Sequence, residues 1–166
     1  LFIIALFFLS LKTRILIKQI TFFTIAHTIT LFASTIWPQL QISPLVVESL
    51  IAASIIFVAI ENLYTDRLTK WRPWIITFFG LMHGLGFASV LREFENEQSN
   101  LLISLSGFSV GVELGQITVV IIAYLLFGFW FGKKYWYRQR IAIPASLGVG
   151  FLGVVWLFQR LFSLGY

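Results

Sequence analysis

The chain has 166 residues, 58% of them hydrophobic and 11% charged, with a formal charge of +5, a mean hydropathy of +0.90 and no cysteine. That balance excludes a soluble globular domain and predicts one polytopic membrane domain, while the missing thiols exclude disulfides, thiolate metal sites and cysteine nucleophiles. Nucleic acid is not an expected partner, because Lys and Arg are confined to the connections between apolar runs, where they orient a membrane protein.

The expected fold is an all-α, polytopic transmembrane helical bundle forming a single domain over residues 1–166. Six spans are predicted in order at about residues 1–11, 20–36, 45–64, 74–91, 101–131 and 141–158. The first is too short to cross a bilayer and reads as a helix truncated at its N-terminal end. The fifth is longer than needed and predicts a tilted, broken or extended helix. Lys and Arg number three, none, three, one and four in the successive connections, with one after the sixth span. By the positive-inside rule the first, third and fifth connections are cytoplasmic, so both ends of the chain face outward. Trp37, Trp71, Trp74 and Trp136 stand at the predicted boundaries, and the outer loop after the fourth span carries Glu93, Glu95 and Glu97.

Polar residues inside apolar runs mark candidate function. In the second span Thr24, His27, Thr30 and Ser34 form one stripe, fit either for interhelical hydrogen bonds or for a ligand. The third carries Glu48 near its outer end, Ser54 centrally, and Glu61 and Asn62 near its inner end. Glu61 has Arg67 and Lys70 as local partners, whereas no basic residue adjoins Glu48 in its outer loop, which favours a site role for Glu48.

The fourth span places His83 close to the bilayer midplane, with Gly80, Gly84 and Gly86 around it leaving room for a helix, a water or an ion. In the fifth, Gly107, Gly111 and Gly115 repeat every four residues as a close-packing face, and Ser109, Glu113 and Gln116 cluster opposite. The glycines of the sixth span read as packing alone.

His27, His83, Glu113 and Gln116 therefore share a depth on three helices and form the candidate metal ligands, with Thr24, Glu48, Ser54, Glu61, Asn62 and Ser109 in support. Imidazole and carboxylate without sulfur suit nickel, cobalt or zinc, as transported substrate or ligand, with no organic cofactor. A permease for such an ion is the leading expectation. An intramembrane zinc hydrolase and a non-catalytic subunit of a membrane complex are the alternatives.

The segments Phe23-Thr24-Ile-Ala-His27-Thr28-Ile-Thr30-Leu31, Val47-Glu48 through Ser54 with Glu61-Asn62-Leu63, Gly80-Leu-Met-His83-Gly84-Leu-Gly86-Phe87-Ala88, and Gly111-Val-Glu113-Leu-Gly115-Gln116 together resemble the HupE/UreJ family of bacterial membrane proteins. The resemblance implies a small multi-span protein of the bacterial inner membrane, of the hydrogenase and urease accessory type, regarded as a nickel or cobalt permease. It also implies further ligands, an Asp and a His, in a segment preceding residue 1. Beyond the lipid bilayer and the metal ion, a homo-oligomer or membrane-complex partner is the remaining expectation.

Overall fold

The computed structural model describes residues 1–9, 11, 13–40, 42–65, 69–94 and 101–162, and every regular element among them is helical. Six helices make the bundle: α1 (Phe2–Leu9), α2 (Thr13–Ile36), α3 (Pro44–Tyr64), α4 (Arg72–Phe94), α5 (Leu101–Ala123) and α6 (Ile143–Phe162). Among the described residues α2, α3, α6 and the helix begun by α5 are long and apolar enough to cross a membrane. The expected all-α membrane bundle is thus the observed class. Large apolar side chains such as Ile29, Phe57, Phe129 and Phe151 point outward, and Trp37, Trp71 and Trp74 are exposed at or beside helix ends. An apolar exterior with Trp at its edges is what lipid requires.

Two helix pairs form the frame, α2 against α4 and α3 against α6, with α3 also touching α4. The eight-residue α1 lies at the centre, with Ala5 and Phe7 wholly buried and contacts to α2, α3, α5 and α6. These eight residues fill the core between the two pairs. Asn62 ties this centre together by donating to the Ala5 carbonyl (2.8 Å) and to Ser146 Oγ (3.0 Å), linking α3 to α1 and α6.

The long fifth stretch departs from a regular helix. After α5 the backbone passes through a π-helical segment, Tyr124–Gly128, and a second one, Arg138–Ala142, leads into α6. Wider turns of this kind interrupt helices locally. They lie at the end of the bundle predicted to be cytoplasmic, where Arg138 also donates to the Thr65 (2.9 Å) and Leu63 (3.3 Å) carbonyls at the end of α3. A guanidinium at a helix C-terminus complements both the free carbonyls and the helix dipole.

Glycine sets the spacing between α2 and α4. A Cβ added at Gly80 would lie 2.5 Å from the Phe23 carbonyl oxygen and 2.9 Å from Ala26 Cβ, and one at Gly84 would collide with the His27 carbonyl and Thr30 Oγ1. The space expected beside His83 is therefore occupied by the backbone of α2. Thr30 then closes the seam, its hydroxyl donating to the Leu81 carbonyl (2.8 Å).

The face of Gly107, Gly111 and Gly115 differs from expectation, since among the described residues nothing lies within 4 Å of an added Cβ at any of them. α5 contacts mainly α1 and α2, and its bond to α2 is made through Gln116, not through the side of Gly107 and Gly111. Gly84→Ala is accordingly expected to cost about 1–3 kcal/mol by overpacking, read as a lower thermal midpoint in detergent. Gly111→Ala should leave the midpoint unchanged or slightly higher, because alanine is the better helix former.

Candidate functional site

The site is built from the α2 and α4 seam outward. Because Gly80 and Gly84 allow backbone contact there, His27 of α2 and His83 of α4 line one cavity of about 430 Å³. α5 supplies Gln116 to the same cavity, and Phe2, Phe23, Phe87 and Trp156 are among its walls. Phe23 touches both imidazoles, with ring centroids 6.1 Å from His27 and 5.0 Å from His83, while Phe2 lies 5.2 Å from His83 and Phe87 5.3 Å from His27.

The polar atoms in this aromatic cage are few, and two are oriented. His83 Nδ1 lies 2.8 Å from the Phe79 carbonyl oxygen. A carbonyl only accepts, so Nδ1 carries the proton and Nε2 of the neutral ring keeps its lone pair. Gln116 Oε1 accepts from the Thr24 hydroxyl (2.9 Å), which fixes the amide and leaves that oxygen a second lone pair. His27 is different. It is 1% exposed, and neither ring nitrogen has a hydrogen-bond partner among the described residues.

Thr24, His27, Gln116 and His83 are thus brought together, and Glu113 is not. Glu113 is exposed on α5 and is absent from the cavity wall, where Val112, Gly115 and Gln116 stand. At ~100° per residue Glu113 lies ~60° round the helix from Gln116, and with Gln116 facing the chamber it turns out of the bundle. Ser109, on the Gln116 side, is buried with its hydroxyl unpaired among the described residues. Also among those residues, no three His, Asp or Glu side chains converge into a group able to hold a metal ion. A complete site with a carboxylate is replaced by two imidazoles and an amide.

The supporting carboxylates have other partners. Glu61 pairs with Arg72 at the start of α4 (2.5 Å), rather than with Lys70, and Arg67 lies outside the described residues. Glu48 pairs with Arg160 near the end of α6 (2.7 Å), a partner not visible from its own loop. The Ser54 hydroxyl donates to the Ile51 carbonyl of its own helix (2.7 Å), and Asn62 belongs to the central packing. The side chain of Glu93 and the loop residues Glu95 and Glu97 lie outside the described residues.

Sequence reasoning missed the phenyl walls and Arg160. The signal for Arg160 was available: it is the one charged residue of its helix and falls at the same predicted outer end as Glu48.

Fold and cavity together define a polytopic helical membrane protein with a histidine-bearing chamber inside the bundle. A family model described as HupE / UreJ protein matches residues 1–160. The chain belongs to the HupE/UreJ family, which is associated with nickel and cobalt transport accessory function. No curated protein and no solved structure matches it.

The pairing of Glu61 gives a direct test of its structural role. Glu61→Leu strands the buried guanidinium of Arg72 and is expected to cost about 3–5 kcal/mol in thermal unfolding. Adding Arg72→Met should recover most of that loss, because an apolar pair then replaces a half-broken ionic one.

Proposed function

We propose that the protein is a permease or facilitator for a divalent transition metal ion, nickel or cobalt, in the bacterial inner membrane, with both ends of the chain outward. His27, His83 and Gln116 serve as transient ligands midway across. One observation carries this reading: His27 is fully buried in the chamber it shares with His83, and both its ring nitrogens lack a partner among the described residues. An unpaired buried polar group costs roughly 1–3 kcal/mol, which a packing histidine avoids by bonding to a neighbour. A cation accepting the lone pair of one ring nitrogen would remove that nitrogen's share of the penalty.

The donor set suits passage better than storage. Two imidazoles and one amide oxygen are borderline ligands of the kind nickel and cobalt take, and they are too few to enclose an ion without water. Conduction needs binding strong enough to replace part of the hydration shell and weak enough to release the ion. The hydrolase alternative draws less support, because a catalytic zinc site needs three protein ligands and an acid or base beside its water. Among the described residues the chamber offers two histidines and no carboxylate.

The test is time-resolved uptake of nickel and cobalt into proteoliposomes holding the full-length protein. His27→Ala and His83→Ala are each expected to lower the initial rate at limiting metal by about 10- to 100-fold, the range seen when a metal site loses a supporting group. Glu113→Gln should stay near the wild-type rate. Loss of uptake with Glu113→Gln, at full activity of both histidine variants, would overturn the reading.

A further inference from the structure

A second cavity, of about 290 Å³, lies toward the predicted outer end of the bundle, lined by Glu48, Ile51, Ala52, Gly86, Phe87, Trp156, Gln159 and Arg160. Ile51, Phe87 and Trp156 also line the histidine chamber, so the two cavities share a wall of one aliphatic and two aromatic side chains. On α3 Glu48 stands one turn before Ile51, and on α6 Arg160 stands one turn beyond Trp156, both on the outer side of that wall. Their ion pair, Arg160 Nε to Glu48 Oε2 at 2.7 Å, joins α3 to α6 across the mouth. At Gly86, on the α4 side, an added Cβ would come within 2.8 Å of Ile51 Cδ1, so α4 and α3 also meet closely there.

We propose that the Glu48–Arg160 pair is a latch closing the outer mouth of the histidine chamber. Two features fit a latch better than a structural staple. The pair is only partly buried, with the Arg160 side chain 54% exposed and that of Glu48 35%, and such pairs exchange readily with water and salt. It also joins the two helices whose side chains, Trp156 and Ile51, separate the outer cavity from the chamber. While paired, Arg160 neutralises Glu48, so no net negative charge draws a cation to the mouth. A cation that displaces the guanidinium from Glu48 releases Arg160 outward and frees the end of α6 to move from α3, carrying Trp156 with it. The latch takes its purpose from the proposed passage of a cation, but its opening can be read without any transport.

Residues 1–166 hold no cysteine, so with any cysteine outside them replaced by serine a single introduced thiol reports access cleanly. Ile51→Cys in the full-length protein, in right-side-out membrane vesicles, is labelled from outside with a membrane-impermeant trimethylammonium methanethiosulfonate. Arg160→Gln in that background is expected to raise the labelling rate about two- to fivefold, the range set by a partly exposed ion pair. Added salt should accelerate labelling with Arg160 present and not in the Arg160→Gln protein. A positively charged probe is itself favoured by loss of Arg160, so a neutral reagent of similar size is run beside it and must show the same acceleration. An unchanged rate, acceleration of the charged probe alone, or labelling from the inner side only would overturn the latch. If wild-type protein carries no metal while the latch behaves as expected, the permease reading falls and the latch stands.

Discussion

Everything in the chamber depends on the backbone contact between α2 and α4. Gly80 and Gly84 present no side chain to α2, so the Phe23 and His27 carbonyls come close enough to exclude even a methyl group. The contact sets the two histidines on facing helices at one level and lets Phe23 touch both rings. Without a hydrophobic drive between helices in lipid, such close approach is the main source of association, and Thr30 adds a hydrogen bond across the seam.

The remaining helices take their roles from this seam. α1 fills the core beside it, and α5 docks through Thr24 and Gln116. The carboxylates Glu61 and Glu48 are held in ion pairs near opposite ends of α3, away from the chamber. Charge is thereby kept near the predicted membrane surfaces, where it costs less, and the interior is left to groups that are polar and uncharged in their neutral forms. A chamber of this kind can offer lone pairs to a passing cation without holding a fixed opposite charge that would trap it.

Hydropathy and charge made the helical membrane class legible, and counting along each helix placed His27, His83, Glu113 and Gln116 at one depth. The order of helices around the bundle is not contained in such counting. It decides which part of a polar stripe faces inward, and on α5 it favours Gln116, which bonds to Thr24 of α2, and turns Glu113 away. The glycine repeat of α5 was equally ambiguous: Gly107, Gly111 and Gly115 repeat every four residues, yet among the described residues nothing lies against a Cβ added at any of them, whereas Gly80 and Gly84, a single pair of the same spacing, carry the close contact. Arg160 was counted only as a base after the sixth span, and its pairing with Glu48 joins positions more than a hundred residues apart, which counting along one helix does not connect.

The central claim is that His27 and His83 act on one ion. X-ray absorption at the nickel K-edge of the nickel-loaded, full-length protein tests it most directly, since imidazole rings leave a distinct multiple-scattering signature. Two imidazoles per nickel in the wild type, and one in each of His27→Ala and His83→Ala, is the predicted result. A spectrum without imidazole scattering, or one unchanged in both variants, would contradict it.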